Sequence, residues 1–249
     1  MKPHADTARF YDLLGRLDAS KMQGLPLRSY DGASGLPSRG VYFFREPGEQ
    51  RSNDPNSPRV VRIGTHAVSA NSKSTLWQRL RAHLGTRIGA GNHRGSIFRL
   101  HVGAAMLARD QIDLPTWGKG SSAPPSLRES QAMQALEFAW EQKVSEYIGA
   151  MTVLWVNVPD EPSSESTRAV IERNAIALLS NRFTSHDFPS AGWLGRNSPR
   201  SEIRRSGLWN LNYVDQGYDP SFLDLFESAV EETLRGEVNV FPILSSEEQ

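Results

Sequence analysis

The chain has 249 residues, 38% apolar and 22% charged, with 28 basic side chains against 28 acidic ones. That length can bury a sizeable core, as one large domain or one and a half. It contains no cysteine, which excludes disulfides, zinc–thiolate sites, iron–sulfur clusters and a cysteine nucleophile, and which fits a reducing compartment.

Charges break the apolar positions of "MKPHADTARFYDLLGRLDAS", so no signal peptide is expected there. Apolar runs of only a few residues rule against a membrane span, and the cytoplasm is the expected location. Residues 6–19 should form a helix with Phe10, Leu13, Leu14 and Leu17 on one side. A Gly/Pro/Ser-rich loop over 32–38 precedes "GVYFFRE" (40–46), a strand by its aromatic and branched residues. "PGEQRSNDPNSP" predicts a long surface connection, and "RVVRIG" (59–64) a second strand antiparallel to the first. A helix follows over 74–84, ended by Gly85. "SIFRLHV" (96–102) predicts a third strand, and the proline-containing stretch 103–125 irregular structure.

"SLRE" at 126–129 has capping-box spacing and predicts the start of a long helix running to about Tyr147. "TVLWVNV" (152–158) predicts a strand, and 167–179 a helix. The stretch 182–219 should be an ordered loop packed on the body through Trp193, Trp209, Tyr213 and Tyr218. A last helix is expected over 220–235. No linker divides the chain, which points to one α+β domain: a small central antiparallel sheet flanked by helices, bearing insertions.

The neutral total hides an uneven distribution. From Pro55 to Arg109 there are nine basic residues and no acidic one, whereas from Tyr213 onward Arg235 stands alone against nine acids. A polyanion responds to such a local field, although a solvated basic face with no partner has the same composition.

Two helices carry polar groups that their apolar faces do not explain. At about 100° per residue, Arg79 and His83 share one edge of the face made by Leu76, Leu80, Leu84 and Trp77, while Arg81 points away. Arg79 could simply lay its stem on apolar surface with its head in water. Glu172 falls inside the apolar arc of the 167–179 helix, where a carboxylate needs a cation, a metal or a proton. Arg168, four residues earlier, is the plain structural partner; a metal beside a cleft is the sharper alternative. Tyr42 stands on the opposite strand face from Val41 and Phe43. Phosphodiester hydrolysis needs a base for water, positive charge on phosphoryl oxygens and commonly a carboxylate-held metal, and these residue types supply all three.

The ordered set "GVY" (40–42), "RIG" (62–64), a helix with Arg79 and His83, and a later helix with Glu172 resembles the GIY-YIG nuclease family, most closely its restriction-endonuclease-like branch. The resemblance spans about 38–102 and 165–215. It implies an insertion at about 103–150 and a C-terminal extension at about 213–249. It also implies a Mg²⁺-dependent (or Mn²⁺-dependent) DNA endonuclease leaving a 5′ phosphate and a 3′ hydroxyl. Tyr42 would be the general base and Arg79 the phosphate-binding arginine. His83 would hold the water, the tyrosine or a leaving oxygen, and Glu172 would be the single metal ligand. Asn210 in "GLWN" matches the family's asparagine, with Asn197 and Asn212 as rivals. Arg62 replaces the tyrosine that normally opens the second motif; it can bind phosphate but cannot act as a base. Lys73 or His66 could fill the basic position after that motif.

The partner implied is double-stranded DNA, contacted also by Arg87 and Arg94, with a homodimer left open. Arg62, Arg79, Lys73 and Arg94 are expected to line one concave surface, with 213–249 away from it. Two alternatives stand beside the nuclease: a weak or inactive nucleic-acid-binding member of the same fold, and a scaffold whose basic lobe meets an acidic C-terminal region. The literal "YIG" at 147–149 ends a long predicted helix and precedes no arginine helix, which marks it as a decoy.

Overall fold

A computed structural model describes residues 2–19, 23–32, 35–86, 88–183 and 187–240. Helix α1 (Lys2–Asp18) leads to a long hairpin, β1 (Gly40–Arg51) and β2 (Asp54–Gly64). Then come α2 (Leu76–Leu84), α3 (Ile97–Asp110), the single turn α4 (Pro125–Arg128) and α5 (Gln131–Ala150). The third strand, β3 (Thr152–Asn157), is followed by α6 (Thr167–Leu179), α7 (Ser201–Ser206) and α8 (Phe222–Val240).

The sheet is antiparallel with order β2-β1-β3, so β1 is the central strand. Side chains alternate across a strand, and β1 uses both faces. Val41 and Phe43 enter a core with α1, α6 and α8, while Tyr42 and Phe44 enter a second core with α2, α3, α5, Trp193 and Trp209. The result is an α+β domain with a small three-stranded sheet covered on both faces by helices. Among the described residues no helix is long and apolar enough to cross a membrane.

Four expectations are corrected. Residues 96–102 are not a strand: Ser96 caps α3, accepting the amide N–H of Arg99. Phe98, Val102 and Ala105 are fully buried at helical spacing, and the apolar pattern continues past residue 102 to Met106, which turns a strand-like composition into a helix face. The helix therefore also occupies the first part of the stretch expected to be irregular, and β3 is the third strand instead. The supposed connection over 47–58 belongs mostly to the hairpin, which accommodates its prolines at register shifts between Arg45 and Gln50 and at the Gln50–Arg51 step. Ser126 lies inside α4; the long helix starts at Gln131, with Ser130 Oγ accepting the Met133 amide. A true capping box opens α2 instead, between Thr75 and Gln78.

The motif glycines have steric reasons. A Cβ at Gly40 would lie 2.3 Å from the Val156 carbonyl oxygen of β3, and one at Gly64 would lie 2.2 Å from the Tyr42 hydroxyl. The literal "YIG" is helical, with Tyr147 donating to Glu46 and Ile148 in the core. The acidic face of α8 is partnered by α1: Arg9 meets Asp224 and Glu227 at 2.8 and 2.6 Å, and Arg16 reaches Glu227 and Glu231. Within the chain those acids therefore do not cover the basic lobe.

Candidate active site

Sequence places a carboxylate on the sheet-facing arc of α6 and an arginine on the edge of α2; the fold brings them to one cleft. Its volume is about 280 Å³, and its walls include Arg62 of β2, Arg79 of α2, His101 of α3, Glu172 of α6, Asn210 and Tyr213. Glu172 is partly buried. Its Oε1 accepts the Thr65 amide at 3.1 Å, and among the described residues it makes no ion pair. Arg168, the plain partner expected for it, is taken by Asp160 at 2.7 Å and donates to the Ala67 carbonyl. Burial pushes the Glu172 carboxyl above its ordinary value, offset only in part by the charge of Arg62, the Thr65 amide and the charge of Arg79.

The two cleft arginines are incompletely used. Arg62 donates through Nη1 to the Trp209 carbonyl at 2.9 Å and lies over the Phe98 ring, yet its buried Nε has no partner among the described residues. Arg79 Nε is likewise buried and unpartnered. Four other arginines of the basic stretch are neutralised: Arg59 by Glu49, Arg94 by Glu137, Arg99 by Glu141 and Arg109 by Asp110. A buried N–H without an acceptor is costly, and here two lie beside one carboxylate.

Beside this cleft lies a closed chain of hydrogen bonds. The Tyr42 hydroxyl meets His83 Nε2 at 2.9 Å, and His83 Nδ1 meets Ser96 Oγ at 2.8 Å. Tyr42 and His83 are both fully buried and neither forms part of the cleft wall. Burial, with Arg62, Arg79 and Arg99 nearby, holds His83 well below the usual histidine pKa, so it is neutral. The chain ties β1, α2 and the start of α3 together.

Asn210 lines the cleft but spends its amide on β2, accepting from the Ile63 N–H at 3.1 Å and donating to the Ile63 carbonyl at 2.8 Å. Together with the Trp209 amide on the Val61 carbonyl, it extends the edge of the sheet and fixes Arg62 between two anchored residues. Of its rivals, Asn212 also lines the cleft, whereas Asn197 donates to Leu194 elsewhere.

The single concave basic surface is not formed. Lys73 borders a separate pocket with Arg39, Ser72 and Thr75; Arg94 borders another with Glu137. His66 donates from Nδ1 to the Ser74 carbonyl, and burial and Arg168 hold its pKa down at about 4. Arg87 lies outside the described residues. Tyr213 and Asn212 do reach the cleft, so the C-terminal extension is not wholly apart from it.

Sequence reasoning missed two residues. Thr65 follows "RIG" and bonds both Glu172 and, through Oγ1, the Gly40 carbonyl at 2.8 Å, joining the two motifs to α6. His101 was hidden by the assignment of its segment to a strand; the apolar spacing beyond residue 102 was the available signal.

These pieces, a motif-bearing hairpin, an arginine helix and a glutamate helix on a three-stranded sheet, define a nuclease-type fold. A family model described as the GIY-YIG domain matches residues 1–236, and the chain belongs to that family. Among curated proteins and solved structures, none matches the chain.

Proposed function

We propose that the chain is a divalent-metal-dependent endonuclease that hydrolyses phosphodiester bonds of double-stranded DNA in the Arg62–Arg79–Glu172 cleft. One observation carries this: two buried arginine N–H groups share a wall with a carboxylate, and among the described residues the N–H groups have no acceptor and no cation pairs the carboxylate. A phosphodiester supplies the missing acceptors, and Arg62 and Arg79 neutralise charge developing on its oxygens.

The donor set fits Mg²⁺ or Mn²⁺. Among the described residues no cluster of three or more His, Asp or Glu side chains could enclose an ion, so Glu172 would act as the single protein ligand. Mg²⁺ keeps several waters and is commonly held by one or two carboxylates plus substrate phosphate. When bound, it supplies Lewis-acid polarisation of a phosphoryl oxygen. Tyr42, the residue the family motif makes the general base, lies fully buried against Gly64 and bonded to His83. We assign Tyr42 and His83 a positioning part, holding α2, and with it Arg79, against β1.

A second reading, a DNA-binding protein that cleaves weakly or not at all, is favoured by one feature. Arg62 stands where the motif calls for tyrosine and cannot accept a proton.

The test is plasmid cleavage against Mg²⁺ concentration for the wild type and Glu172→Gln, with thermal melts alongside. The glutamine keeps size and hydrogen bonding but loses the charge, so a folded variant with cleavage reduced about 10³-fold or more is expected. Full cleavage by the variant removes Glu172 from the site. Salt-dependent binding without cleavage by the wild type selects the second reading.

A further inference from the structure

The Tyr42–His83–Ser96 chain does more than tie three elements together, because its hydrogens must run in one direction. Among the described residues the Tyr42 hydroxyl bonds only His83 Nε2, and Ser96 Oγ bonds only His83 Nδ1 and the Arg99 amide. All three side chains are buried from solvent. His83 is neutral, held so by burial and by Arg62, Arg79 and Arg99, and a neutral imidazole has one N–H and one bare nitrogen. Two hydroxyls and one ring N–H therefore bring three hydrogens to two bonds. One hydrogen is left over, at Tyr42 if His83 carries its own on Nε2, at Ser96 if it carries it on Nδ1.

Position decides between them. Ser96 is the cap of α3, and a helix N-terminus presents N–H groups rather than acceptors. Its oxygen turns a lone pair to the Arg99 amide, and its carbonyl already receives the Leu100 amide. Among the described residues the acceptor within reach of its own O–H is His83 Nδ1, at 2.8 Å. The reverse order would aim a buried hydroxyl hydrogen at the positive end of α3. Arg99 fixes both ends of this bond, with its amide on Ser96 Oγ and its guanidinium on the His83 and Leu84 carbonyls. We infer that Ser96 is a positioning residue: its hydroxyl donates to His83 Nδ1 and so holds the ring hydrogen on Nε2, from which His83 donates to the Tyr42 oxygen.

The consequence falls at Tyr42. Its oxygen receives a bond from His83, and its own hydrogen is the uncommitted one of the three. That oxygen lies against β2 at Gly64, where a Cβ would come within 2.2 Å of it, and the next residue, Thr65, holds Glu172 through its amide. The family motif makes Tyr42 the general base, a part that requires its own hydrogen not to be fixed on a neighbour. With three arginines around it, His83 is also a poor recipient for a second hydrogen. This bearing on the reaction rests on the hydrolytic function proposed above; the tautomer of His83 does not.

Long-range nitrogen–proton correlation NMR of the histidine rings reads the tautomer directly, with the His83 signals assigned by their loss in His83→Gln. The wild type should carry the hydrogen on Nε2. Ser96→Asp keeps a capping oxygen but, when ionised, can only accept, so it should move the hydrogen to Nδ1. Single-turnover cleavage of duplex DNA with Mg²⁺, DNA binding and thermal melts accompany the spectra. Ser96→Asp and Ser96→Ala should lose about 10–100-fold in the cleavage step with binding kept, as for partners that orient a functional histidine. Ser96→Thr, which retains cap and hydroxyl, should recover most of that loss. If the aspartate variant fails to fold, the wild-type and threonine spectra carry the test. Hydrogen on Nδ1 in the wild type overturns the inference. A reversed tautomer with undiminished cleavage overturns the positioning part and leaves Ser96 a cap. A wild type that cleaves no DNA removes the hydrolytic function, and the spectra then decide the part of Ser96 separately.

Discussion

Two clusters of like composition flank α3. On one side Arg99 and His93 both meet Glu141; on the other His101 lines a cleft holding Arg62, Arg79 and Glu172. In the first cluster the Arg99 guanidinium bonds Glu141 Oε2 at 3.0 and 2.5 Å, and also reaches the His83 and Leu84 carbonyls and Ser145. His93 gives Nδ1 to Glu141 and accepts the Gly118 amide at Nε2, with Trp117 stacked 3.9 Å away. In the second cluster Arg62 Nε, Arg79 Nε and His101 Nε2 are buried without partners among the described residues. Satisfied networks of buried charge rigidify a fold; a native cluster left incomplete is where a ligand completes it.

The carboxyls report the same contrast. Burial pushes both upward, but hydrogen bonds from His93 and Arg99 outweigh it at Glu141 and hold that group below its ordinary value. At Glu172 burial prevails over Arg62, the Thr65 amide and Arg79, and the group is raised. Glu141 therefore stabilises the fold in its charged form, while Glu172 costs stability to keep charged.

The sharpest way to break this comparison is to remove one arginine from each cluster. Arg99→Ala leaves Glu141 buried with only a histidine for company, and it should cost about 3–5 kcal/mol of stability, lowering Tm by about 10 °C in a domain of this size. Arg79→Ala should cost little stability and instead reduce cleavage about 10²–10³-fold, as for loss of one transition-state donor. Melts and cleavage rates on the two proteins check both. Equal melting losses would show that the cleft arginine is structural.

Neutralising the carboxyls gives a smaller effect with opposite signs. In metal-free buffer Glu172→Gln should raise Tm by about 2–4 °C, the shift for about 1 kcal/mol, whereas Glu141→Gln should lower it. Linkage fixes the pH dependence. A raised folded pKa means the penalty at Glu172 is complete above that pKa. It fades as pH falls through it toward the unfolded value near 4.3, so the benefit of Glu172→Gln shrinks on acidification. The stabilisation from Glu141 is present above the unfolded value and is lost as pH falls through its depressed one. Melts of both variants across pH 4–8 would expose a wrong sign directly.

Which cluster would be satisfied could not be seen along the chain. The apolar periodicity of α2 and α6 exposed Arg79, His83 and Glu172 as residues their helices do not explain, and the two tripeptides located the hairpin. Local signals suffice there because a helix face is written within a few turns. What pairs with each charge is a matter of distant segments: Glu141 reaches Arg99 across 42 residues and Thr65 reaches Glu172 across 107. The nine basic residues from 55 to 109 looked like one lobe. Four of them prove to be neutralised by carboxylates contributed by other parts of the chain or by the next residue, Arg59, Arg94, Arg99 and Arg109. His101 was lost for a different reason. Ile97, Phe98 and Val102 have strand-forming composition, and only the longer window through Met106 distinguishes helix from strand.

The same distinction applies to the surface that DNA would follow, where the expected effect is smallest. Arg94 was expected on that path, but its guanidinium is held by both oxygens of Glu137 at 2.5 and 3.1 Å, beside a different pocket. Arg200 is exposed, pairs with Glu202 at 2.8 Å, and is the charge acting most strongly on His101 of the cleft wall. A phosphate near Arg200 can compete with an exposed ion pair, because such a pair is worth only about 0–1 kcal/mol in water. Each phosphate contact releases a counterion and contributes about 0.9 to the slope of log K against log salt. Arg200→Ala should therefore flatten the slope by about 1 and weaken binding modestly at low salt, with little change in the rate of bound substrate. Arg94→Ala should leave the slope unaltered. Titrations of a fixed duplex at several salt concentrations decide it: a flattened slope for Arg94 and none for Arg200 would move the DNA path to the α5 side of the molecule, away from Glu172.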